Sequence, residues 1–270
     1  MEFMKVLRCP KTGNKLRFSD ADSVVYVENS DITYPIIDGI VDFCPQVRDI
    51  VSRSYDKFAS RYDEYITSSS VLMKLLDRFV WGSAYDTSDL MTNTVLSNLP
   101  SKFEGVLLDV PVGTGVFTDS QYAQFPNATI IAVDYSMGML QKSKERFAQK
   151  GLTNVFLVRA DIANLPLTND SADIILSMNG LHAFKDKQRA TAEMKRVIKK
   201  DGSLVACCYV KGDSWRWDFC VKYFGVRRGF FNPPFFTKDS IGTQLDGFEI
   251  RRQVNNKSLV SLEAGKIVEI

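Results

Sequence analysis

Leu107-Leu-Asp-Val-Pro-Val-Gly-Thr-Gly115 is the stretch that decides the fold. An apolar, strand-like run, Val106–Val110, leads straight into a turn carrying Gly113 and Gly115. Glycines there let the chain turn sharply and bring its backbone close to a ligand, at the ligand-binding end of a parallel strand. Outward from this turn, strand-like and helix-like patterns alternate. Thr129–Val133, Val155–Val158, Asp173–Met178 and Ser203–Tyr209 are short β-rich runs. Between them, Met139, Leu140, Ser143 and Phe147 share one helical face, and Ala190, Met194, Val197 and Ile198 share another. Lys199, Lys200 and Gly202 read as the C-terminal signal of that second helix. The alternation predicts an α/β fold, a parallel sheet with helices on both faces.

The glycine turn alone does not name a ligand. Sites for NAD, FAD and S-adenosylmethionine all use such a loop, and so does a strand-to-helix turn that binds nothing. The acids downstream narrow the choice. Asp134 ends the second strand-like run, 19 residues beyond Gly115, where a carboxylate accepts from two ribose hydroxyls. Capping the helix that starts near Met137 is the plainer reading of Asp134, and the two are compatible. Tyr135 is placed to lie against an adenine face, and Asp161, before Ile162, to accept from its amino group. A dinucleotide fingerprint needs a third glycine where this chain has Thr118. S-adenosylmethionine carries no pyrophosphate and needs only the close backbone.

The rest of the chain sets bounds. Its 270 residues suffice for one α/β domain and a small appendage. With 45% hydrophobic and 24% charged residues it is globular, and 34 Lys+Arg against 32 Asp+Glu leave a net charge of +2. That balance gives no overall basic footprint for nucleic acid or membrane. Five cysteines in a long chain argue against a disulfide framework. Met1–Pro10 lacks a signal-peptide pattern and no run approaches a membrane span, so the protein is read as cytoplasmic. Three regions are expected: residues 1–47, a β-rich module with runs at Lys15–Phe18, Ser23–Val27 and Thr33–Ile37; residues 48–100, a helical lid or linker; and residues 101–270, the α/β domain.

The runs LLDVPVGTG, AVDYSMGML, VRADIANLPL, ADIILSMNGLHAF and EMKRVIKKDGSLV, taken in order, resemble the motifs of class I S-adenosylmethionine-dependent methyltransferases. The resemblance covers roughly residues 100–210 and is nearest to the branch with the ubiquinone/menaquinone C-methyltransferases. It implies a Rossmann-like seven-stranded sheet whose reversed last hairpin is supplied by Phe248–Val254 and Ser258–Val268. It also implies that Asp109, Gly113 and Gly115 surround the methionine moiety and that Asp134 holds the ribose. Tyr135, Asp161 and Ile162 would frame the adenine. Ser177, Met178 and Asn179 would line the methyl-donor end, with Pro111 and Ser136 also in the site. Pro111 stands where the family usually has glycine; proline fixes φ and removes an N–H.

Leu7-Arg-Cys9-Pro10, followed by Tyr34-Pro-Ile-Ile-Asp-Gly-Ile40, resembles a zinc-ribbon-like module that precedes some rRNA guanine methyltransferases. At the expected ligand positions stand Cys9, Thr12, Val27 and Ser30. A structural zinc site needs four good donors, so no metal is expected.

Methyl transfer needs nucleophile, methyl carbon and sulfur nearly in line, and positioning supplies most of the catalysis. His182, the one histidine in the chain, follows the fourth strand of the domain and reads either as a general base or as a structural imidazole. The segment from Trp215 to Phe236 is rich in aromatics and reads as an apolar acceptor pocket or as a satellite hydrophobic cluster. Arg227 and Arg228 read as a solvated pair, or as a recognition pair for an acidic acceptor. Phe58-Ala-Ser-Arg-Tyr-Asp63 resembles the segment before the core in the same methyltransferase family, and the resemblance implies that Tyr62 closes over the cofactor's methionine end; a helix-packing tyrosine is the plainer reading. The expected function is methyl transfer to a small, apolar or aromatic acceptor. An RNA-modifying enzyme and a catalytically silent adaptor are the alternatives. Oligomeric state is left open.

Overall fold

The computed structural model describes residues 2–19, 23–46 and 93–268. Tyr62 and most of the expected helical lid or linker, residues 48–100, lie outside the described residues. Of that region residues 93–100 are described, and 93–96 are helical.

Four short strands open the chain: β1 (Leu16–Ser19), β2 (Val24–Val27), β3 (Thr33–Ile37) and β4 (Ile40–Asp42). The α/β part follows as β5 (Val106–Asp109), α1 (Asp119–Tyr122), β6 (Thr129–Asp134), α2 (Met137–Gln149), β7 (Val155–Arg159), β8 (Ala172–Met178), α3 (Lys187–Val197) and β9 (Ile198–Tyr209). After β9 come α4 (Trp215–Cys220), α5 (Ile241–Gln244), β10 (Phe248–Asn256) and β11 (Leu259–Lys266). One sheet of 11 strands holds them all, in the order β1-β2-β3-β4-β7-β6-β5-β8-β9-β11-β10. Strands β4 to β9 run parallel across the centre, and β11 and β10 return antiparallel at one edge.

The seven strands from β7 to β10 are the sheet the sequence implied. The sequence missed β4, a three-residue run whose residues are all buried. It pairs in parallel with β7, Val41 opposite Val158 and Asp42 opposite Arg159. The expected N-terminal module is therefore not a separate body; its strands extend the main sheet. Among the described residues, no group of three or more His, Cys, Asp or Glu side chains gathers around Cys9. Its Sγ lies 3.1 Å from the Tyr34 hydroxyl, Val27 is buried in β2, and the Ser30 hydroxyl accepts from the Ile32 amide.

Parallel strands buried on both faces are apolar throughout rather than alternating, as Thr129-Ile-Ile-Ala-Val-Asp134 shows. On one face Leu108, Ile131, Ile175 and Leu204 pack with Ala190, Met194 and Val197 of α3. On the other, Leu107, Ile130, Leu176 and Val205 pack with Leu140 and Phe147 of α2. Helices thus cover both faces. Gly202 does not cap α3 as the sequence suggested. The helix ends at Val197, Ile198 is already extended, and β9 opens with Ile198 paired to Ala172.

Candidate active site

Strand order reverses at β5, which lies between β6 and β8. The loops leaving β5 and β8 therefore diverge to opposite faces and open a crevice at the carboxyl ends of the strands, where open α/β sheets bind ligands. The cleft found there is lined by residues 110–114 and 116–118 after β5, 134–136 at the end of β6, 160–163 after β7 and 178–179 with 183–186 after β8.

Asp134 is the fixed point of this cleft. Its Oδ2 accepts from the Gly113 amide at 2.9 Å and its Oδ1 from the Ser136 amide at 2.8 Å. The Val112 amide donates to the Val133 carbonyl at 2.9 Å, so the glycine loop is stitched to the end of β6. The cap of α2 is Ser136, whose hydroxyl accepts from the Met139 amide at 3.1 Å. Asp134 does not cap the helix, and its carboxylate serves the loop instead. Asp161 accepts from the Ala163 amide at 2.9 Å, turning the chain after β7, and is itself exposed. Lys185 stands 5.8 Å from the Tyr135 ring centroid, across the opening.

Nine residues expected at the site line the cleft: Pro111, Gly113, Asp134, Tyr135, Ser136, Asp161, Ile162, Met178 and Asn179. Four others do not. Asp109 is buried beneath the loop and accepts from the Tyr122 hydroxyl, and among the described residues its Oδ1 has no hydrogen-bond partner. Burial, with the nearby Asp134 charge, pushes its carboxyl up to about 7. Gly115 turns away: a Cβ there would lie 2.5 Å from the Phe147 ring, so this glycine serves helix packing. Ser177 is fully buried beside Gly180, and among the described residues its hydroxyl has no hydrogen-bond partner.

His182 is buried behind the β8 loop. Its ring stacks on Phe231, centroids 4.5 Å apart at 18°, and its Nδ1 accepts from the Tyr209 amide at 3.1 Å. Burial and then the Lys187 charge push its pKa down to about 3. A neutral ring with Nδ1 as acceptor carries its proton on Nε2, and the Phe231 stack and the Tyr209 hydrogen bond hold it in place behind the wall. The segment after β9 is tied to the same loop. Lys187 Nζ donates to the Asn232 carbonyl at 2.5 Å and to that of Phe184 at 3.1 Å, and Asn232 Nδ2 donates to the Ala183 carbonyl at 2.6 Å. Tyr209 centres the aromatic cluster, with Trp217, Phe231 and Phe235 each edge-on to it. These aromatics support the cleft's β8 wall from behind and do not line the cleft. Arg227 and Arg228 are exposed.

Sequence reasoning missed Val112, Thr114, Phe117, Met139, Phe184, Lys185 and Asp186 in the lining. Met139 was readable only as a core position of α2. Phe184 to Asp186 follow the β8 motif closely enough to have been flagged by position.

Residues 107–202 match the family model described as "Methyltransferase domain". An uncharacterized chloroplastic methyltransferase of Arabidopsis thaliana is 32% identical over 111 residues, 40% of this chain and 32% of that protein. The demethylmenaquinone methyltransferase of Thermobifida fusca is 36% identical over 102 residues, 38% of this chain and 42% of that one. The matched part thus spans less than half the length of either relative. A solved S-adenosylmethionine-dependent methyltransferase from Aquifex aeolicus superposes with a TM-score of 0.54 at 20% identity, over 67% of this chain and 94% of the other. Over residues 107–202 the chain therefore matches a methyltransferase domain in sequence, and its sheet has the fold of an S-adenosylmethionine-dependent methyltransferase.

Proposed function

We propose that this chain transfers a methyl group from S-adenosylmethionine to a small acceptor of apolar or aromatic character. The observation that carries the reading is the Asp134 carboxylate, held by the Gly113 and Ser136 amides at the point where strand order reverses. A carboxylate accepts more than two hydrogen bonds, so this one suits a ribose diol while fixing the loop. Tyr135 and Ile162 would hold the adenine faces, Asp161 its amino group, and the 111–114 backbone the methionine part. Met178 and Asn179 would stand at the methyl end. The bound cofactor supplies an electrophilic methyl carbon on a sulfonium.

The protein's own share is alignment and exclusion of water. With His182 neutral and behind the wall, rate enhancement comes from holding the acceptor in line, which is worth several orders of magnitude. Such a site suits acceptors that need no strong base in the transfer step. The apolar acceptor is inferred from Val112, Phe117, Met178 and Phe184 in the lining.

Titration calorimetry tests the reading. S-adenosylhomocysteine is expected to bind in the micromolar range, about −8 kcal/mol. Asp134→Ala is expected to weaken it by about 1.5–3 kcal/mol, the worth of hydrogen bonds to a charged group. Binding of NAD with no binding of S-adenosylhomocysteine would sink the reading. Incubation with metabolite extract and S-adenosylmethionine, read as S-adenosylhomocysteine formed, then identifies the acceptor.

A further inference from the structure

Behind the wall formed by Tyr135 and Asp161 lies a buried ion pair whose halves come from distant parts of the chain. Asp42 ends β4 and Arg159 ends β7, opposite each other in register. Both are buried, at 1% and 7% exposure. Arg159 Nη1 donates to Asp42 Oδ2 and to the Cys44 carbonyl, each at 3.1 Å. Its Nε reaches the other way and donates to the Tyr135 carbonyl, also at 3.1 Å. The Cys44 amide donates to Asp42 Oδ1 at 2.8 Å, and the Phe43 amide to the Arg159 carbonyl at 2.9 Å. The Cys44 sulfur meets the main-chain amide of Asp161. Residues 42–44 thus bear on the backs of both Tyr135 and Asp161.

Joining β4 to β7 does not need this arrangement, because the strand ladder already does so. What the guanidinium adds is a tie from residues 42–44 to the Tyr135 main chain, which lies beyond the end of β6 and outside the ladder, through a planar fork that fixes direction as well as distance. Only arginine, with donors on separate nitrogens, reaches Asp42, Cys44 and Tyr135 at once.

We propose that the Asp42–Arg159 pair is a positioning device for the nucleobase end of the cleft, through which the N-terminal strands set selectivity for adenine. The proposal rests on the cofactor reading above. Arg159 holds the Tyr135 main chain, Cys44 backs Asp161, and the wall keeps the Asp161 carboxylate in register with an exocyclic amino group. A recognition group displaced by a fraction of an ångström loses much of its discrimination.

The test compares S-adenosylhomocysteine with its hypoxanthine counterpart, which has a carbonyl where adenine has the amino group. Both affinities are measured by calorimetry on the full chain, for wild type, Asp42→Asn and Arg159→Lys. Wild type is expected to prefer the adenine form. Each variant is expected to bind that form about tenfold more weakly, as for one lost hydrogen bond, and the hypoxanthine form nearly as before, so the preference collapses. Arg159→Lys keeps a cation beside Asp42 and serves if Asp42→Asn does not fold. Folded variants with an unchanged preference overturn the proposal, and so does failure of both to fold, which marks the pair as a folding element alone. A wild-type chain that binds neither ligand overturns the functional reading, and this one with it.

Discussion

Asp109 and His182 are both buried next to the cleft, and neither faces it. Their titrations pull stability in opposite directions. The Asp109 carboxyl titrates at about 7 in the fold against 3.8 for a free carboxyl, so the folded state holds its proton more tightly. Its contribution is complete below about pH 4 and is lost as pH rises to about 7. His182 is the reverse, depressed from 6.5 to about 3 by burial first and the Lys187 charge second. Its contribution is complete above pH 6.5 and is lost as pH falls toward 3. Each is on the order of 4 kcal/mol at full extent. Between pH 4 and 6.5 the two slopes oppose, and wild-type stability should be nearly flat there. Asp109→Asn should leave stability rising with pH across that window, and His182→Phe should leave it falling. Denaturant titrations at several pH values read both; variant profiles parallel to wild type would refute the assignment.

At the scale of elements, the glycine loop is shaped by α2 as much as by any ligand. Ser136 caps the helix, Arg146 Nε donates to the Thr114 carbonyl at 3.1 Å, and Arg146 pairs with Asp119 at 3.3 Å. Phe147, in the last turn of the helix, fills the space that Gly115 leaves. Gly115 also has φ +71°, a conformation that side chains with a Cβ resist. Gly115→Ala adds overpacking to backbone strain, and should cost about 2–4 kcal/mol. Thermal or denaturant unfolding measures it. A Gly115→Ala protein as stable as wild type would show that α2 yields more easily than its packing implies. The same element explains why Asp134 lines the cleft: with Ser136 as the cap, the carboxylate is released to hold the loop.

For the whole molecule, the consequence lies at the edge of the sheet. β4 covers β7, whose residues Val155-Phe-Leu-Val-Arg159 form an apolar strand. Phe3 stacks on Phe156 with centroids 4.1 Å apart, and the chain near Leu7 bridges to Leu167. A chain lacking residues 1–46 would present β7 as an unpaired apolar edge, a template for self-association. It should elute as large assemblies in size-exclusion chromatography where the full chain gives a discrete peak. A shortened protein that stays soluble, discrete and equally stable would mean the N-terminal strands are an appendage after all.

Local chemistry made much of this legible in advance. Buried parallel strands must be apolar, a strand-to-helix turn beside a ligand needs small residues, and a carboxylate at the end of β6 faces the crevice by position alone. So the five parallel strands β5 to β9, the antiparallel hairpin after them and nine cleft residues were readable from the sequence. Orientation and long-range contact were not. Asp109 sits two residues before a cleft-lining proline, yet it turns inward because Tyr122, thirteen residues on, offers it a hydroxyl. His182 occupies the mouth of the site in sequence, yet Phe231 and the Tyr209 amide claim it. The joining of β4 to β7, and the meeting of Asp42 with Arg159, 117 residues apart, were set by tertiary structure alone. Three residues of strand carry too little pattern to announce themselves, and a buried charge finds its partner only when the folded sheet brings the two together.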